Sequence, residues 1–177
     1  MKSNIVKFGI FACVLLFGFT AADKAFAEVE VGTEAELIAA VENAGEYGET
    51  IVVTGQIQLA QTLVIPENRH ITLCSGVLIG ADGYDVIEIA THGSLTIEGS
   101  EIKHAPGDKG RGVYIREGAF MEMTSGSIRN NSVDGDGAGI YSEGYISIIP
   151  YDTDKTVFIQ NNTATGNGGG IYLARTA

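Results

Sequence analysis

Two cysteines occur in the 177 residues of this chain, Cys13 and Cys74. Cys13 lies inside an apolar N-terminal stretch, so the rest of the chain keeps one thiol and has no intramolecular disulfide to draw on. Its stability must come from packing. Cys74 follows Leu73 at the end of an apolar alternation and reads as a small, half-buried residue, not a reactive thiol. Bases are scarce too. Beyond residue 27 there are eight Lys or Arg against 21 Asp or Glu, a formal charge of −13. Such acidity repels phosphate, which argues against nucleic acid and anionic lipid as partners and suits a secreted protein that must stay soluble. Nor is there an apolar run of membrane-spanning length. The run from Phe8 to Phe19 is too short to cross a bilayer comfortably.

That run instead has the grammar of a secretory signal peptide over residues 1–27. Lys2 and Lys7 precede it and the small-x-small site Ala25-Phe26-Ala27 follows, so a mature chain would begin near Glu28 with no transmembrane span. A lipoprotein reading centred on Cys13 fails, because Ile10-Phe11-Ala12 precedes it and the apolar run continues past it.

What the remaining chain has is repetition. Ser127-Ile128-Arg129-Asn130-Asn131 followed by Gly137-Ala138-Gly139-Ile140-Tyr141 returns, 31 residues on, as Phe158-Ile159-Gln160-Asn161-Asn162 followed by Gly168-Gly169-Gly170-Ile171-Tyr172. Weaker copies lie upstream. Ile87, Ile89, Leu95, Ile97 and Ile102 map onto Val113, Ile115, Met121, Met123 and Ile128 at an offset of 26. Leu63, Ile65, Ile71, Leu73 and Leu78 precede the first set by 24. Within each unit these residues form i, i+2 pairs, the period of a strand with one buried face. Gly, Asn, Asp, Ser and His fill the gaps, as turns require. Each unit is therefore expected to be three short strands joined by turns. None could bury its own apolar side, so the units must stack into a solenoid. A leucine-rich repeat would need Leu at most inward sites and often an outer helix. Here Ile, Val, Leu and Met are mixed and no helical pattern occurs inside a unit. The expected fold is all-β, a right-handed parallel β-helix of four to five coils over residues 50–177.

Phe158-Ile159-Gln160-Asn161 and Gly168-Gly169-Gly170-Ile171 resemble the F-x-x-N and G-G-A-[ILV] signatures of chlamydial-type polymorphic outer membrane protein repeats, with Gly170 in place of Ala. The upstream copy is degenerate, with Ser127 at the Phe position and Ala138 breaking the glycine pair. The resemblance implies a pectin-lyase-like β-helix that is secreted or held at a bacterial cell surface or outer membrane.

Residues 28–49 hold the one convincing helix. Thr33-Glu34-Ala35-Glu36 is a capping box, Leu37, Ile38, Val41 and Ala44 form an apolar stripe, and Gly45 offers a left-handed stop. Set before the first coil, this helix is expected to cover it. At the other end the chain stops soon after Leu173, so the β-helix reads as truncated, with a last coil through which copies could self-associate.

Parallel β-helices include polysaccharide lyases and hydrolases, which need clustered carboxylates. The candidates are Asp134 with Asp136 and Asp152 with Asp154. Both pairs sit in turn-like sequence with too few oxygen ligands for a recognisable calcium loop, leaving at most weak calcium binding. His70, His92 and His104 lie at different phases of the repeat and lack metal-ligand spacing. No catalytic, metal or cofactor residue is assigned. Asn130 with Asn161, and Asn131 with Asn162, occupy equivalent turn positions where stacked amides can bond from rung to rung. Tyr114, Tyr141 and Tyr172 share a Gly-x-Tyr position that alternation points outward, and they form the candidate binding surface. Ser142 breaks the inward apolar rule, which suggests a rung loosened near an insertion at 150–156. The functional expectation is a non-enzymatic, adhesin-like module whose partner is a host or neighbouring-cell surface protein or glycan. The alternative is the N-terminal part of a polysaccharide-active enzyme with catalytic coils farther on.

Overall fold

The computed structural model describes residues 28–45, 47–150 and 152–174. The signal peptide assigned to residues 1–27 lies outside them. An opening strand β1 (Glu28–Val31) leads to helix α1 (Glu34–Asn43). The first turn follows as β2 (Glu49–Val53), β3 (Gln56–Gln58) and β4 (Leu63–Ile65), and the second as β5 (His70–Cys74), β6 (Val77–Gly80) and β7 (Ile87–Ile89). The third turn is β8 (Ser94–His104) and β9 (Val113–Ile115). The fourth is β10 (Phe120–Arg129), β11 (Ser132–Val133) and β12 (Ile140–Ser142), and the fifth is β13 (Tyr145–Ile148), β14 (Val157–Gln160), β15 (Thr163–Ala164) and β16 (Ile171–Leu173). Every pairing between these strands is parallel, so the chain is a parallel β-solenoid of about five turns.

The spacing of the apolar residues sets the register. Leu63 pairs with Ile87 and Ile87 with Val113; Ile71 pairs with Leu95 and Leu95 with Met121; Leu78 pairs with Ile102 and Ile102 with Ile128. All of these side chains are buried, each burial contributing about 1.5–3 kcal/mol to a column of aliphatic rungs along the axis. A one-residue slip would turn a whole strand inside out, so the register is strongly specified.

Two strands depart from the expected three short strands per unit. β8 and β10 run through a corner without leaving the sheet, bending at Gly99 and Gly126, whose φ angles are +92° and +101°. At Gly126 a Cβ would stand 2.4 Å from the Ser100 carbonyl oxygen. Glycine admits both the positive φ and the close rung, so the strand can bend instead of breaking. These bends join the first two faces into one nine-stranded sheet, while β4, β7, β9, β12 and β16 form a separate third sheet.

Helix α1 begins with the expected capping box: the Glu36 amide donates to Thr33 Oγ1 at 3.3 Å, and the Glu36 carboxylate accepts the Thr33 amide at 3.1 Å. Leu37 and Val41 are buried in the core. The end of the helix differs from expectation. Ala44 terminates it in an extended conformation (φ −53°, ψ 133°), buried at 2% exposure, and Gly45 has no positive φ. Pulling Ala44 into the core straightens the chain before a left-handed residue is needed. The sequence pattern also gave no sign of β1, which pairs with β2 ahead of the first turn. The Glu34 carboxylate accepts the Ala60 amide at 2.6 Å and ties the helix to the first turn. Ser142 does not loosen its rung. It stays in register between Ile115 and Leu173, buried, with its hydroxyl donating to the Gly144 carbonyl at 3.1 Å.

Candidate interaction face

The outer side of the third sheet carries one column in strict register: Val64, Glu88, Tyr114, Tyr141 and Tyr172. Alternation puts the three tyrosines opposite the inward Val113, Ile115 and Ile140. The rings stack from rung to rung. The centroids of Tyr114 and Tyr141 lie 5.3 Å apart at 86°, an edge-on pair, and those of Tyr141 and Tyr172 lie 5.3 Å apart at 35°. Each such pair contributes about 0.5–1.5 kcal/mol beyond its buried area. All three residues are half-buried, less open than alternation alone suggested.

Two arginines that the repeat did not single out account for part of that cover. The Arg116 Cζ sits 4.4 Å from the Tyr114 centroid, and that of Arg111 lies 5.0 Å from Tyr141 and 5.8 Å from Tyr114. Arg116 is held by Glu88, its Nε donating to Oε1 at 2.8 Å, and its Nη1 reaches the Tyr114 hydroxyl at 3.2 Å. Arg111 is held by Asp85 at 3.5 Å and donates to the Asp136 carbonyl at 3.1 Å. Burial pushes the Tyr114 hydroxyl above the ordinary phenol range, a hydrogen bond with Glu143 adds to it, and Arg116 opposes both. The Glu88 hydrogen bond raises Arg116 in turn. The strip therefore offers aromatic edges, phenol hydroxyls and guanidinium groups already positioned by carboxylates, a combination suited to hydrogen bonding and stacking against a partner.

The asparagine corner divides into two halves. Asn130 and Asn161 are exposed and adopt the left-handed conformation, with φ of 57° and 55°. They turn the chain. Asn131 and Asn162 point inward and make the rung-to-rung bonds. Both the main-chain N–H and the side-chain Nδ2 of Asn131 donate to Asn162 Oδ1 at 3.0 Å, and Asn162 Nδ2 donates to the Ile128 carbonyl at 2.9 Å. One turn below, His104 fills the same corner, with Nδ1 2.8 Å from Asn131 Oδ1. The sequence set His104 apart from the repeat because it occupies a strand end, not a turn. The signal that could have found it is the adjacent glycines. A Cβ on Gly139 would stand 2.8 Å from Asn162 Nδ2, one on Gly112 2.8 Å from Asn131 Nδ2, and one on Gly80 2.5 Å from His104 Nε2. Glycine at these positions makes room for the polar ladder, so the Asn and Gly signatures of the repeat are two sides of one contact.

The carboxylates go elsewhere. Asp82 accepts the Lys109 amide at 2.9 Å, Asp85 the Arg111 amide at 2.8 Å, and Asp136 the amide of Asn167 together with its Nδ2 at 3.2 Å. In the wide turns these side chains replace the missing strand acceptor of the next rung. Asp134 forms an ion pair with Lys109, and Asp152 Oδ1 accepts the Thr153 hydroxyl at 3.3 Å. The remaining histidines stay apart, with His70 3.5 Å from Thr96 and His92 3.5 Å from Glu67. Cys74 is half-buried, and burial, followed by the charge of Glu98 and Glu28, pushes its thiol up.

A parallel β-solenoid whose last turn carries the Asn and Gly signatures is the class of protein that this geometry defines. Residues 156–174, spanning β14 to β16, match the family model of the Chlamydia polymorphic membrane protein repeat. No curated protein and no solved structure matches the chain. Among the described residues no helix is long and apolar enough to cross a membrane.

Proposed function

We propose that this chain is an adhesin-like, non-enzymatic module, exported with removal of residues 1–27 and displayed at a bacterial surface or secreted. It engages a host or neighbouring-cell protein or glycan through the outer face of the third sheet and needs no cofactor. The solenoid winds right-handed, and α1 closes its first turn with Leu37 and Val41. The observation that carries the reading is the column Tyr114, Tyr141 and Tyr172, with ring centroids 5.3 Å apart on an outward strip. The repeat matched at residues 156–174 supports surface display. The engagement of Asp82, Asp85 and Asp136 with main-chain amides supports a non-catalytic role for the turn carboxylates.

The test is a triple change, Tyr114→Ser, Tyr141→Ser and Tyr172→Ser, in the chain beginning at Glu28. Binding to glycan arrays and to cells should be lost while the β-sheet circular dichroism persists. A variant that melts earlier yet binds as well as the parent would reduce the column to a stabilising stack.

A further inference from the structure

The stack of guanidinium on phenol along the third sheet stops before the last tyrosine. Arg116 shows what a complete unit contains. Its Cζ lies 4.4 Å from the ring centroid of Tyr114 in its own turn, and its Nε donates to Glu88 of the turn below at 2.8 Å. The main chain carries the position of Arg116, just after β9, upward without a shift. The Arg116 amide donates to the Ile89 carbonyl at 3.0 Å, the Glu143 amide to that of Ile115 at 2.8 Å, and the Ala174 amide to that of Ser142 at 2.8 Å. The column therefore reads Arg116, Glu143, Ala174. In the fifth turn the ring is supplied by Tyr172 and the carboxylate of the turn below by Glu143, but Ala174 has only a methyl group to offer. The other arginine position ends in the same way. Arg111, three residues before Tyr114, is replaced by Ala138 before Tyr141 and by Gly169 before Tyr172. Among the described residues no cation lies over the Tyr172 ring.

The charges on this face point the same way. Asp85 and Glu88 already neutralise Arg111 and Arg116. Glu143 forms no ion pair among the described residues. It accepts the Tyr114 hydroxyl, and Arg116, whose charge it feels, is committed to Glu88. A carboxylate has acceptor sites to spare beyond one phenol. Glu117, exposed after β9, adds a second negative charge, and the chain beyond residue 27 is strongly acidic as a whole. Such a field draws basic partners in and holds acidic ones off. We propose, building on the reading of this face as the adhesive surface, that its partner is a basic polypeptide segment. One arginine of that segment completes the fifth-turn unit, with its guanidinium against Tyr172 and its hydrogen bonds on Glu143. Arginine suits the place better than lysine, because its planar group stacks on a ring and meets a carboxylate with two donors at once.

The probes are fluorescent peptides of alternating arginine and glycine, with lysine and glutamate versions for comparison, titrated into the chain from Glu28. The arginine peptide should bind tightest, weaken with added salt, and shift the ring resonances of Tyr141 and Tyr172. Glu143→Gln keeps an acceptor for the Tyr114 hydroxyl and should weaken that binding about tenfold. Glu42→Gln, the same charge change at an exposed position of α1, should leave it unchanged. Ala174→Arg should complete the unit from within and block the peptide. Equal affinities in Glu143→Gln and Glu42→Gln would overturn the inference, as would a neutral glycan that shifts the tyrosine resonances when the arginine peptide does not. If Glu143→Gln does not fold, Ala174→Arg and the resonances of the parent decide. Adhesion to cells is read separately through the triple tyrosine change. Adhesion lost in that variant, with no response to the arginine peptide in the parent, would sink the basic partner and leave the adhesive face standing.

Discussion

Replacing Asn131 with Ala removes the central rung of the polar ladder. The side chain makes three buried hydrogen bonds, to Asn162 Oδ1 at 3.0 Å, to the Ile102 carbonyl at 3.4 Å and from His104 Nδ1 at 2.8 Å. Asn162 Oδ1 keeps a partner, since the Asn131 main-chain amide still reaches it. His104 Nδ1 does not, whereas the Ile102 carbonyl, which lies in the β8–β10 ladder, loses one side-chain donor. One orphaned buried group at about 1–3 kcal/mol and one lost hydrogen bond at about 1 kcal/mol give a loss of roughly 2–4 kcal/mol. A water entering the vacated polar space would hold the loss at the lower end. For a chain of this size that is a fall of roughly 10 °C in melting temperature. The assay is thermal and urea unfolding followed by far-UV circular dichroism. Because solenoid turns couple only to their neighbours, hydrogen exchange should place the loss in the third to fifth turns. Asn130→Gly is the matched control one residue away. Asn130 is exposed at φ 57°, a conformation glycine adopts freely, so the change should stay within about 0.5 kcal/mol. An Asn131→Ala variant within about 1 kcal/mol of the parent would refute the ladder as a determinant of stability.

Gly139→Ala should cost about 2–3 kcal/mol in urea midpoint terms, because its Cβ would stand 2.4 Å from the Gly170 carbonyl oxygen, a main-chain atom with little room to give. Gly45→Ala, with nothing within 4 Å, should be close to neutral. The Glu36 carboxyl is held below the ordinary glutamate range by the Gly32 amide first and then by Thr33. Its contribution is therefore present above about pH 4.3 and lost as pH falls through the lowered value. The protection factors of the first-turn amides of α1 should fall in acid, and Glu36→Gln should abolish that fall. Ile171 and Leu173, in register with the buried inward residues Ile140 and Ser142, are 38% and 66% exposed. The isolated chain from Glu28 should therefore self-associate in a light-scattering concentration series, and Leu173→Lys should return it to a monomer. Strict monomers of the parent would show that this edge does not pair.

The five apolar columns were legible in the sequence because a parallel solenoid repeats one environment at each turn. Leu63, Ile87 and Val113, or Leu78, Ile102 and Ile128, must all be apolar for the same reason, and a constant offset exposes them. The capping box at Thr33 and Glu36 was equally readable, since both partners lie within four residues. The outward phase of Tyr114, Tyr141 and Tyr172 followed from alternation. Alternation could not supply Arg111 and Arg116, whose places over those rings depend on Asp85, Asp136 and Glu88, carboxylates and a carbonyl about one turn away. It also could not separate Asn130 from Asn131, adjacent and identical in type. Only the left-handed backbone at Asn130 decides that one amide faces water and the next enters the core. His104 shows the limit most clearly. Sequence periodicity records which residues share a position along the chain, whereas a corner is shared by any side chain that can reach it. A histidine from the end of β8 and an asparagine from the turn after β10 meet there because the strand before the asparagine is one left-handed residue longer.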